Sequence, residues 1–69
     1  MTLIRVAADI GGTFTDVALD TPTGLYTSKV LTTAQEPATG VLRGIEEVVT
    51  EAGLNASDID VFVHGTTLA

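Results

Sequence analysis

The sequence predicts an α/β fold: three strands, a helix and a fourth strand, forming a mixed sheet that opens with an antiparallel meander. Three observations carry this prediction. Residues 13–20 (TFTDVALD) alternate apolar and polar side chains with a period of two, the repeat of a half-buried strand. Val41, Ile45, Val48, Val49 and Ala52 recur at helical spacing instead. Two short runs rich in β-branched residues, at 3–10 and 60–64, bracket both segments.

The elements follow in order. Residues 3–10 (LIRVAADI) are an apolar run that stops at Gly11-Gly12 and read as a buried strand. Along 13–20, Thr15, Val17 and Leu19 share one side and Asp16, Ala18 and Asp20 the other. Thr21-Pro22-Thr23-Gly24 has turn chemistry, with Pro second and Gly last. Residues 25–32 (LYTSKVLT) are then a third strand. Pro37 suits the first turn of the helix, and Gly53 suits a left-handed stop. Glu46, Glu47 and Glu51 form its solvated side. Gly40 and Gly44 lie on one helical face, a spacing expected for close packing of helix on sheet. Residues 60–64 (DVFVH) supply the fourth strand, and Tyr26 and Phe62 are expected in the core.

Composition excludes several function classes. The chain has 69 residues, enough for at most one small domain. It has no cysteine and a single histidine, His64, so neither a disulfide framework nor a structural zinc site is available. The formal net charge is −6, and Arg5, Lys29 and Arg43 are the only basic residues. Nucleic-acid binding rests on many Lys and Arg contacts to phosphate, so no nucleic-acid partner is expected. No apolar run approaches the roughly 20 residues that span a bilayer, and residues 1–10 carry no basic leader, so a cytoplasmic location without membrane contact is expected.

Chemistry concentrates at residues 9–16 (DIGGTFTD). An acidic residue ends the first strand, two glycines follow, then hydroxyl residues, then the second strand. Paired glycines admit close approach of a ligand and dihedrals denied to other residues. Successive N–H groups in such a turn can cradle an anion, and Thr13 and Thr15 add hydroxyl donors. Asp9 is suited to orient a divalent ion, since magnesium takes few carboxylates and keeps much of its water. A carboxylate at the end of a buried strand is costly unless paired or metal-bound, which favours this role over a plain Gly-Gly hairpin turn. The Walker loop is excluded because no Lys-Ser/Thr follows the glycines, and the Rossmann fingerprint because a strand, not a helix, follows them.

The segment 9–16 resembles the first phosphate motif of the actin/sugar-kinase/Hsp70-like ATPase superfamily. Its continuation Phe14-Thr15-Asp16 resembles the hydantoinase A/5-oxoprolinase branch, as does Val63-His64-Gly65-Thr66-Thr67-Leu68-Ala69 at the other end. The resemblance implies a ribonuclease H-like lobe of a two-lobed ATPase, of which residues 1–69 are an incomplete N-terminal part. It implies ATP as cosubstrate, with Gly11, Gly12 and Thr13 at its terminal phosphates and magnesium oriented by Asp9; Thr15 is expected to add a hydroxyl donor to the same site, and Thr66 and Thr67 to contact substrate or phosphate. It also implies a small cyclic amide as substrate (a hydantoin or 5-oxoproline) or activation of acetone, with a second subunit of hydantoinase B type. No catalytic residue is assigned: His64 beside Gly65 reads as structural before it reads as a catalyst, and Asp16 has three open roles, solvated, bonded to Thr13, or facing the site. Two other readings stand beside this one. A sugar or small-molecule kinase shares the glycine motif but not Phe14-Thr15-Asp16 or the second segment. A small acidic binding module needs neither, and it describes the isolated chain well, since half a site is not expected to catalyse.

Overall fold

The computed structural model describes residues 3–33 and 35–66. Its elements are β1 (Arg5–Ile10), β2 (Phe14–Thr21), β3 (Gly24–Leu31), α1 (Pro37–Ala52), a 3-10 turn (Ala56–Asp58) and β4 (Val61–Thr66). They form one four-stranded sheet in the order β3-β2-β1-β4. β1 pairs antiparallel with β2, and β2 with β3, while β4 returns parallel to β1 on its other side. A parallel return needs a crossover, and α1 supplies it. The three-strand meander, helix and parallel strand are the expected α/β arrangement with a mixed sheet.

One face of the sheet is the core. Val6, Ala8 and Ile10 of β1, Thr15, Val17 and Leu19 of β2 and Val30 of β3 are buried beneath Val41, Val48 and Val49 of the helix. Removing each Val or Leu side chain from water stabilises the fold by about 1.5–3 kcal/mol. The alternation expected in β2 is therefore the observed one. Asp16 and Asp20 lie on the opposite, open face, where Asp20 meets Arg5 at 3.4 Å and Asp16 meets Lys29 at 3.9 Å.

The helix begins with Pro37 and ends at Gly53, whose φ of 74° is left-handed and whose N–H bonds the Thr50 carbonyl at 3.1 Å. Glu46, Glu47 and Glu51 are exposed. Gly40 and Gly44 are buried against the sheet. A Cβ at Gly44 would overlap the side chain of Val17, and one at Gly40 would lie 3.3 Å from the Leu31 carbonyl oxygen. Both glycines thus serve close packing.

Several expectations change. Thr13 falls in the turn rather than at the start of a strand, and Thr32 lies one residue past β3. β4 runs on to Thr66, because its parallel register with β1 carries Gly65 opposite Asp9 and Thr66 opposite Ile10. The 3-10 turn was not expected. It is built on short polar residues, with the Asn55 N–H donating to the Asp58 carboxylate at 2.8 Å. Phe62 is 51% exposed rather than in the core, whereas Tyr26 is half-buried and packs against it. Phe62 pairs with the buried Val6, yet on the outer strand the helix does not reach over it.

Candidate functional site

The glycine segment is the turn between β1 and β2. The register pairs Ile10 with Thr15, and the Gly11 N–H donates to the Phe14 carbonyl at 2.9 Å. Gly12 and Thr13 therefore form the tip, and both are exposed. The expectation that the glycines adopt dihedrals denied to other residues is corrected: positive φ occurs only at Gly24 and Gly53 among the described residues. The demand on Gly11 is spatial instead, since a Cβ there would lie 2.9 Å from the Phe14 carbonyl oxygen. At Gly12 a Cβ would meet nothing within 4 Å.

Behind the tip stands Thr32, a residue that sequence reasoning placed in a strand and gave no role. Its N–H donates to the Thr13 carbonyl at 2.8 Å, and its hydroxyl donates to the Gly11 carbonyl at 2.9 Å. The Thr15 hydroxyl lies 2.9 Å from the Thr32 hydroxyl oxygen. A hydroxyl has one proton, and that of Thr32 is committed to Gly11, so Thr15 is the donor in the second bond. Thr15 is 0% exposed on the helix side of β2, so its hydroxyl faces inward toward Thr32 and away from solvent.

Asp9 is exposed on the open face. The argument from a carboxylate buried at a strand end is corrected accordingly: alternation along β1 sends Val6, Ala8 and Ile10 inward and Asp9 outward. A row of residues crosses the sheet there, with Lys29 opposite Asp16, Asp16 opposite Asp9, and Asp9 opposite Gly65. Asp16 is thus neither bonded to Thr13 nor at the tip; it pairs with Lys29, whose Nζ also sits 5.3 Å from the Phe14 ring centroid. Asp16 and Gly65 were missed as neighbours of Asp9, and Lys29 as the partner of Asp16, because only the register reveals them. Two carboxylates side by side next to an exposed backbone turn are suitable donors for magnesium, which takes one or two carboxylates together with phosphate oxygens and water. No cluster of three or more His, Cys, Asp or Glu is present among the described residues.

Thr66 lies opposite Ile10 in β4, one position beyond Gly65. Thr67 falls outside the described residues. His64 is exposed on the helix side, with its ring 6.2 Å from Phe62. Together with Ile10, Gly12, Thr32, Val41 and Phe62 it lines a largely apolar groove of about 770 Å³ between the helix and β4. The turn, Asp9 and the end of β4 therefore meet at one end of the sheet, although their motifs stand at opposite ends of the chain.

This geometry defines an α/β module with an exposed glycine turn flanked by a carboxylate. The model of the hydantoinase/oxoprolinase N-terminal region matches residues 5–69, and the chain belongs to that family. No curated protein matches it in sequence. Among solved structures it is similar to acetone carboxylase in a nucleotide-free form, from work on ATP-dependent acetone carboxylation, with 22% identity and a TM-score of 0.77. That alignment covers 97% of this chain and 10% of the acetone carboxylase chain, so the likeness is one of fold over a small part of a large enzyme. No helix among the described residues is long and apolar enough to cross a membrane.

Proposed function

We propose that this chain is the phosphate-binding opening of an ATP-dependent enzyme of the hydantoinase/5-oxoprolinase type. The observation that carries the reading is the exposed Gly12-Thr13 tip, fixed from behind by Thr32 and flanked on the open face by Asp9. Backbone N–H groups at such a tip offer donors to phosphate oxygens without recruiting scarce cations. Gly11 keeps the turn narrow, Gly12 leaves room for close approach, and Thr13 adds an exposed hydroxyl. Asp9 would hold magnesium, with Asp16 adjacent to it. Thr66, opposite Ile10 in β4, and Thr67, which follows it in sequence, are the further contacts to substrate or phosphate in this reading.

ATP, when bound, supplies a phosphoryl group that turns an unreactive amide or carbonyl oxygen into a leaving group. The contribution of this chain to that chemistry is placement: donors and a carboxylate held where charge accumulates. It supplies one side of a site, and the adenosine and substrate pockets belong to the rest of the polypeptide that carries it. The isolated chain is accordingly inactive. A small cyclic amide is the substrate class, a hydantoinase B type subunit the partner, and the cytoplasm the compartment.

The test is ADP release by the full polypeptide with its partner subunit, offered 5-oxoproline, a hydantoin, or acetone with bicarbonate. Release that depends on one of these and disappears in Asp9→Ala supports the reading and names the substrate. Folded protein with magnesium and ATP that responds to none of them refutes it.

A further inference from the structure

Thr32 touches both limbs of the β1–β2 turn, and the geometry points to it as the residue that sets the direction of the Gly12 N–H. This inference rests on the phosphate-binding reading above and adds a positioning residue to it. The Gly11 carbonyl and the Gly12 N–H belong to one peptide unit. That unit is planar, and no cis peptide bond occurs among the described residues, so its C=O and N–H point in opposite directions. The Thr32 hydroxyl draws the Gly11 oxygen toward itself at 2.9 Å. The Gly12 N–H must then point away from Thr32.

The second limb is held by the same residue. The Thr32 N–H takes the Thr13 carbonyl at 2.8 Å, extending the β2–β3 ladder one step past its last paired strand residue. Between these two anchors the tip residues, Gly12 and Thr13, have little freedom to rotate their peptide planes. Gly12 on its own would resist rotation poorly, since glycine has the widest choice of backbone dihedrals.

Thr15 completes the device. Its hydroxyl is buried and donates to Thr32, which orients the Thr32 proton toward Gly11 and not elsewhere. The direction of polarity is Thr15 to Thr32 to the Gly11 carbonyl, and each bond strengthens the next. In this arrangement Thr15 acts on the turn through Thr32, and its contribution to phosphate binding is indirect.

The experiment compares Thr32→Val with Thr32→Ser in the full polypeptide. Valine has the shape of threonine without the hydroxyl, and both variants keep the N–H that holds Thr13. Two quantities are read: hydrogen–deuterium exchange of the peptide spanning residues 9–16 without nucleotide, and equilibrium ATP affinity. For Thr32→Val we expect faster exchange in that peptide and an ATP affinity weakened on the order of tenfold, the size of one lost hydrogen bond in a partly buried setting. Thr32→Ser restores both. Thr15→Val, which spares the Thr32–Gly11 bond but removes its orienting donor, gives a smaller change in the same direction and serves if Thr32→Val does not fold. Unchanged exchange and affinity in Thr32→Val, with ATP binding abolished in Asp9→Ala, overturns the role of Thr32 alone. Native protein that binds no ATP overturns the phosphate-binding reading and this inference with it.

Discussion

Asp9 and Asp16 stand directly opposite each other on neighbouring antiparallel strands, two like charges on the open face of the sheet. Directly opposed like charges destabilise a sheet, and a group that binds between or beside them relieves the repulsion. Lys29, opposite Asp16, offsets part of it at 3.9 Å.

Removing one charge of that pair therefore separates folding from function. Asp9→Asn is expected to leave the protein folded, while magnesium-dependent ATP turnover falls to background. Thermal unfolding and an ADP-release assay on the same preparation check both halves. A loss of stability with retained turnover contradicts the assignment.

Lys29→Met is expected to lower stability by less than about 1 kcal/mol, since both partners of the ion pair are more than half exposed. The difference from native protein shrinks as salt rises. Chemical denaturation at low and high ionic strength measures it.

Gly44 and Gly40 separate by how closely the sheet approaches them. Gly44→Ala drives a Cβ into Val17, with overpacking worth about 1–3 kcal/mol, which outweighs the gain in helix propensity of up to about 1 kcal/mol. Gly40→Ala meets its nearest neighbours, the Leu31 carbonyl oxygen and the Thr15 hydroxyl, at 3.3 and 3.4 Å, and its cost falls below that of Gly44→Ala. Unfolding free energies of the two variants establish the order.

Gly11 and Gly12 differ in kind. Gly11→Ala pushes against the Phe14 carbonyl and is expected to destabilise the protein by about 1–3 kcal/mol. Gly12→Ala meets no obstacle within the chain, so stability stays within about 0.5 kcal/mol while ATP affinity drops. Melting temperature and nucleotide binding, measured together, distinguish a glycine required by the fold from one required by the ligand.

The turn between β2 and β3 depends on Thr21. Its hydroxyl accepts the N–H groups of Thr23 and Gly24 at 3.2 and 3.1 Å and donates to the Gly24 carbonyl at 2.8 Å. Thr21→Val is expected to cost about 1 kcal/mol and to leave nucleotide affinity unaffected, because the turn lies at the opposite end of the strands from Gly12. Denaturant midpoints and ATP binding are the readouts.

Much of this fold was legible in the sequence because its elements announce themselves locally. The alternation of Thr15, Val17 and Leu19, the helical spacing from Val41 to Ala52, and the stops at Pro37 and Gly53 each depend on nearby residues alone. The tight seat of Gly44 was legible for the same reason, through its spacing from Gly40. What escaped was set by register. Asp9 gains Asp16 and Gly65 as neighbours only when β1 pairs on both sides, and nothing in the order of residues states which pairs face one another. Thr32 escaped because its role lies in reaching across to Gly11, a contact between residues 21 positions apart. Phe62 was misplaced because hydrophobicity alone does not reveal that the helix lies mainly over β2 and β3 and does not reach the outer strand β4.

The alternation in β1 has one further consequence. Val6, Ala8 and Ile10 bind the strand to the helix, and the residue between the last two is Asp9. A shift of the strand by a single position would turn Val6, Ala8 and Ile10 out and drive the carboxylate into the core, a combination the protein cannot tolerate. The greasy side of the strand is thus the gauge by which the acidic group is aimed. A polar residue at Ala8 or Ile10 would weaken the register that aims Asp9 outward.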